Sequence, residues 1–128
     1  MPRVTHFEIH AGEPANLAAY YRELFGWKMQ HLPHIDYWLI DTSEGSEPGI
    51  NGGLLQRRGA TPTEGQAVNA FVCTVNVASV DVYAAKALKL GGSEAVAKTA
   101  IPGVGWVAYC KDPDGNIFGL HQADAGAK

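Results

Sequence analysis

Three ionisable side chains, His6, Glu8 and His10, stand at alternate positions near the start of the chain. In an extended strand that spacing puts all three on one face, with neighbours about 6.6–6.8 Å apart. An imidazole near its ordinary pKa beside a carboxylate takes or gives a proton at neutral pH, so this trio offers general acid–base work. The same groups also suit a partly wet concavity or a dimer interface, where hydrogen bonds alone satisfy them. Near the other end Gly119 and His121 share a strand face in the same way. If both faces line one cavity, the result is a cup with three histidines and one carboxylate.

Other residues carry weaker signals. Trp38, Trp106 and Tyr109 are able to wall an aromatic pocket, although aromatic strand residues mainly pack cores. Asn51, ahead of Gly52-Gly53, can present an amide to a ligand or bond the local backbone. His31 and His34 flank Pro33 in what reads as an exposed turn. Cys73 and Cys110 lie in apolar, strand-like stretches without metal-type spacing, and both read as buried thiols rather than a disulfide. Gly-x-Ser-x-Gly is absent and the glycine-rich segments do not open helices, so neither a nucleophile elbow nor a phosphate loop is supported.

The elements that must position these groups follow from period and punctuation. Val4–Ala11 alternates as a strand, with Thr5, Phe7, Ile9 and Ala11 opposite the ionisable face. Pro14 suits a first helical position, Leu17, Tyr21, Leu24 and Phe25 form an apolar stripe, and Gly26 closes the helix. Strands are then expected near Trp27–Leu32, Tyr37–Asp41 and Ile50–Gln56, giving the order βαβββ. Gly59–Gly65 reads as a polar connector, and the same order restarts with an apolar run from Val68 to Val77. Ser79 is the expected N-cap of a second helix stopped by Gly91-Gly92, and strands follow near Ala95–Ile101, Trp106–Lys111 and Asn116–Gln122. Asp112-Pro-Asp-Gly115 has the residues of a tight turn. Gly49-Ile-Asn-Gly-Gly-Leu-Leu-Gln56 and Gly115-Asn-Ile-Phe-Gly-Leu-His-Gln122 align at a constant offset of 66 (115 − 49), which points to internal duplication.

With 128 residues, 46% of them hydrophobic, the chain can build a core. One domain is expected, with module one at about 4–58 and module two at about 67–124. Ten Lys and Arg against thirteen Asp and Glu, with no basic run beyond Arg57-Arg58, provide no footprint for nucleic acid or acidic lipid. No apolar run approaches the roughly 20 residues that span a bilayer, and the start lacks a secretory segment, so a cytoplasmic protein is expected.

Tyr20-Tyr21-Arg-Glu-Leu-Phe-Gly-Trp27, together with Lys111-Asp-Pro-Asp-Gly-Asn116, resembles the vicinal oxygen chelate superfamily of glyoxalases, bleomycin-resistance proteins and extradiol dioxygenases. Pro102-Gly-Val-Gly-Trp106 and Gly115–Leu120 are similar to small bacterial proteins related to lactoylglutathione lyase. The resemblance covers nearly the whole chain. It implies an α+β fold of two βαβββ modules forming a curled mixed sheet around a ligand cavity, and commonly a homodimer.

Metal-dependent members place ligands at positions that carry over to His6, about Gly53, about Ala70 and about Gly119. Of these only His6 can bind a metal, and one imidazole is too few for a zinc or non-haem iron site. No metal or other cofactor is therefore expected, with a relocated site from His6, Glu8 and His121 as an alternative. Glycine in a strand leaves room for a ligand to approach. The expected catalytic groups are Glu8 and His6, and the expected ligand contacts are His6, Glu8, His10, Asn51, Gly53, Trp106, Gly119 and His121. The expected function is binding of a small organic molecule in the sheet cavity, with lyase or isomerase chemistry as one option. The alternatives are a metal-dependent lyase or dioxygenase with atypical ligands, and a non-catalytic drug-sequestering protein.

Overall fold

A computed structural model describes residues 2–128. The chain runs β1 (His6–Ala11), α1 (Pro14–Phe25), β2 (Lys28–Leu32), β3 (Tyr37–Asp41), β4 (Asn51–Gln56), β5 (Thr74–Asn76), α2 (Val80–Lys89), β6 (Ser93–Ile101), β7 (Gly105–Lys111) and β8 (Ile117–Ala123). It divides into two compact units, with the boundary along the chain between Thr61 and Pro62. Each unit is a βαβββ module.

In the first unit the strand order is β1-β4-β3-β2. The α1 crossover lets β4 lie parallel to β1, in a register that sets His6 beside Asn51 and Glu8 beside Gly53. Pro14 opens α1, and the Gly26 backbone turns left-handed (φ 76°) while its N–H donates to the Arg22 carbonyl at 2.8 Å. The stripe of Leu17, Tyr21 and Leu24 is buried against one sheet face with Ala11, Ile40 and Leu54. Full burial of each large aliphatic side chain in that layer stabilises by about 1.5–3 kcal/mol, as an upper bound. Trp27 completes the layer, stacked on Tyr21 at 5.5 Å between centroids and 5.9 Å from Phe7. With Phe7, Ile9 and Ala11 turned toward the helix, His6, Glu8 and His10 stand on the opposite, open face.

The second unit repeats the plan as β5-β8-β7-β6. Ser79 caps α2, its hydroxyl accepting from the Val82 N–H at 3.2 Å. Gln122 Oε1 takes the Val80 N–H at 3.0 Å and ties the helix start to β8. Val80, Ala87, Ala108, Cys110, Phe118 and Leu120 form the buried layer. The turn between β7 and β8 closes on buried Asp112, whose Oδ1 accepts from the Asp114 and Asn116 N–H groups at 2.9 and 3.0 Å, while Oδ2 accepts from Asn116 Nδ2 at 2.9 Å.

Three expectations are corrected. The single curled sheet around a cavity is not formed: the ladders make two separate, open four-stranded sheets, each with two edge strands. The strand expected over Val68–Val77 shrinks to Thr74–Asn76, because β-branched composition gives propensity but only pairing with β8 satisfies the backbone, and that register spans three residue pairs. Phe71 is fully exposed as a result. Cys73, just ahead of that short strand, is exposed rather than in the core, whereas Cys110 is buried; both are free thiols.

Replacing Asp112 by Ala should cost about 2–4 kcal/mol of unfolding free energy in urea titration, since it removes a buried charged acceptor and leaves part-buried turn N–H groups without it. Asp112→Asn, which can keep the Oδ1 acceptor, should cost less.

Candidate functional site

The open face of the first sheet is built around an absence of side chain. Gly53 pairs with Glu8 on one flank and Leu39 on the other, and it is buried although its strand neighbours on this face are polar or half-exposed. Tyr37, whose backbone pairs with Leu55, reaches diagonally across that gap. A Cβ at Gly53 would coincide with the Tyr37 hydroxyl and ring edge. Only glycine leaves the phenol its place.

The phenol lands between the two residues singled out as acid–base groups. Its hydroxyl donates to Glu8 Oε2 at 2.9 Å and lies 2.9 Å from His6 Nε2. Partial burial, and then the hydrogen bond and negative charge of Glu8, push the phenol up to about 12. A neutral Tyr37 thus joins an imidazole and a carboxylate that stand two residues apart on β1. Such a chain can hold a proton, pass it on or orient a bound group.

The remaining first-unit candidates are less committed to this cluster. Asn51 stands beside His6, but its Oδ1 accepts from the Thr42 N–H at 2.9 Å and from the Thr42 hydroxyl at 3.3 Å, which fastens the segment after β3. His10 lies on the same face beyond Glu8, and its carbonyl accepts from Arg57 Nη2 at 3.0 Å. His31 lies in β2, inside the strand expected near Trp27–Leu32 rather than in the turn at Pro33, and it stacks on Trp38 at 4.5 Å and bonds Asp36 at 3.3 Å.

In the second unit the register-equivalent of Glu8 is Thr74, paired with Gly119. A Cβ at Gly119 would lie 2.6 Å from Thr74 Oγ1 and 3.1 Å from the Tyr109 ring, so this glycine too is covered. His121 follows on the same face, with Nδ1 3.4 Å from Asn76 Oδ1. Trp106 is elsewhere: strand alternation puts it with Ala108 and Cys110 on the helix-bearing face. There its Nε1 donates to Asp124 Oδ2 at 2.9 Å and Lys98 Nζ lies 4.6 Å over its ring.

The donors of the first face do not fit a divalent cation. A catalytic zinc site normally takes three protein ligands, and the hydrogen-bonded cluster on this face supplies one imidazole and one carboxylate beside a phenol held in its protonated form, with His10 further along β1 outside it. The volume that a ligating side chain at position 53 would need is filled by Tyr37. Among the described residues no group of three or more His, Cys, Asp or Glu could hold a metal ion. Nor, among them, is any helix long and apolar enough to cross a membrane.

Tyr37 is the residue that reading the sequence missed. The signal was a glycine pair in the next strand, a site that cross-strand aromatics often cover, but using it requires the β3–β4 register.

Comparison with known proteins places this geometry in context. A sequence profile described as a glyoxalase-like domain matches residues 6–121. No curated protein matches the sequence. Among solved structures the chain is similar to a glyoxalase/bleomycin resistance protein/dioxygenase family enzyme from Burkholderia phytofirmans PsJN, with a TM-score of 0.72 and 15% identity over 94% of this chain and 98% of that one. A glyoxalase-related enzyme from Fulvimarina pelagi gives 0.71 and 20% identity over 100% and 98%. The fosfomycin resistance protein FosX from Listeria monocytogenes, complexed with Mn(II) and sulfate, gives 0.73 and 15% over 97% and 92%. At these identities the likeness is one of fold.

The raised phenol has a direct readout. Phenolate absorbance of wild type minus that of Tyr37→Phe should reveal one group titrating at about 12 instead of the ordinary 10.0. Because the folded chain holds this proton more tightly than the unfolded one, the stabilisation is complete below pH 10 and vanishes as pH rises through about 12. A difference midpoint near 10 would show that Glu8 and burial do not act on this ring.

Proposed function

The chain belongs to the glyoxalase-like domain family, and from that premise we propose that it binds a small organic molecule on the open face of its first sheet and moves a proton there with His6 and Glu8. The observation that carries this reading is the Tyr37 hydroxyl within 2.9 Å of both His6 Nε2 and Glu8 Oε2. A phenol joining an imidazole to a carboxylate organises acid–base groups in a way that neither a solvated strand face nor a packing role requires. Leu39 supplies an exposed apolar flank beside Gly53, so a ligand lying there would meet hydrocarbon on one side and ionisable groups on the other.

Fold membership leaves the chemistry to the site. With a donor set that does not fit a divalent cation, proton transfer of the lyase or isomerase kind is the reaction class these side chains support by themselves. His10 extends the ligand face along β1, and Gly119 with His121 offers the corresponding face of the second unit. Trp106, bonded to Asp124 and covered by Lys98, is assigned to stability in this reading. We take the working assembly to be a cytoplasmic homodimer, for which the open sheet edges provide backbone groups able to pair with a second copy.

The test screens the purified protein against a panel of small oxygenated and amino metabolites, with binding read by native mass spectrometry and turnover by proton exchange into deuterated solvent. For any compound turned over, Glu8→Gln and His6→Ala should each lower the rate by about 10²–10⁴-fold while thermal unfolding stays near that of wild type. Full turnover in both variants would remove these residues from the mechanism.

A further inference from the structure

We infer that Tyr37 sets the tautomer of His6, making Nδ1 of that ring the proton-accepting atom of the site, and that Gly53 is the seat on which this depends. The assignment of Nδ1 as base rests on the acid–base reading above; the tautomer follows from hydrogen-bond inventory alone. An ionised carboxylate has no proton to give, so in the contact between Glu8 and Tyr37 the phenol is the donor. That uses its only proton. The second contact, between the phenol oxygen and His6 Nε2 at 2.9 Å, must then be donated by the ring as Nε2–H. A neutral imidazole carries one N–H, and Nδ1 is left with its lone pair. Among the described residues no protein group bonds Nδ1.

The proton step then divides the pair. A ligand X–H bond breaks with its electron pair retained on X, an Nδ1–H bond forms, and His6 becomes imidazolium. The positive charge is stabilised by the phenol oxygen at Nε2 and, through the phenol, by the Glu8 carboxylate. Tyr37 is a positioning residue in this scheme, since it touches the two ionisable groups and not the reacting atom. Gly53 is a second one at one remove: any side chain there displaces the hydroxyl and breaks both bonds without altering His6 or Glu8.

Nitrogen-15 NMR of the histidine rings tests this with the proton itself as probe, at a pH where His6 is neutral. Wild type should show His6 almost wholly as the Nε2–H tautomer. Tyr37→Phe should lower the ratio of Nε2–H to Nδ1–H at least about fivefold, the worth of one typical hydrogen bond. Gly53→Ala should do the same, and should Gly53→Ala fail to fold, Tyr37→Phe decides alone. Wild type in the Nδ1–H form, or Tyr37→Phe with an unchanged ratio, overturns the inference. Such a result beside a His6→Ala variant that has lost turnover leaves the acid–base reading standing, whereas the expected tautomer shift beside full turnover in His6→Ala refutes that reading and not the tautomer.

Discussion

A phenol oxygen has one proton to give and can accept another, and in the first sheet Tyr37 does both between Glu8 and His6. Everything distinctive about that face follows from where this oxygen sits. Its position requires a strand residue without a side chain, because the ring crosses the ladder diagonally at the height where a Cβ would stand. Burial and the neighbouring carboxylate then keep the group protonated and in one role. Remove the glycine and the imidazole and carboxylate revert to two separate exposed groups.

The adjacent glycine does the same service for the other face. A Cβ at Gly52 would meet the Phe7 ring at 2.6 Å, and Phe7 packs toward Trp27 and the α1 layer. Two consecutive glycines thus let an aromatic ring press against β4 from each side, one for the core and one for the site. Glycine in a strand interior costs about 0.5–1 kcal/mol relative to alanine, and here that cost is offset by close approach on both faces. The parallel pairing of β1 with β4, imposed by the α1 crossover, holds Glu8 opposite Gly53 so that the phenol finds both partners.

The second unit shows the same frame with different chemistry. Adding 66 to Glu8, His10 and Gly53 gives Thr74, Asn76 and Gly119, and the pairing of Glu8 with Gly53 recurs as Thr74 with Gly119. The carboxylate has become a hydroxyl and the histidine an amide. The duplication therefore preserved the backbone register and the covered glycine, while the carboxylate and imidazole of β1 have no counterpart on β5. A repeat constrains packing; it does not constrain what the solvent-facing positions carry.

Local order was legible in the residues themselves. Periodicity and punctuation located α1 between Pro14 and Gly26, capped α2 at Ser79, and set His6, Glu8 and His10 on one face, because helix ends and strand alternation depend on near neighbours. They also exposed the repeated βαβββ order. What they could not supply was pairing between distant segments: that β5 pairs with β8 over three residues only, that the strands form two open sheets, that Trp106 turns to the helix-bearing face, and that Tyr37 lies over Gly53. Those outcomes depend on strand register, which is decided by contacts dozens of residues apart and by which face finds a helix to cover it. The sequence alone determined which groups were available for chemistry; only the tertiary structure decided which of them share a hydrogen bond.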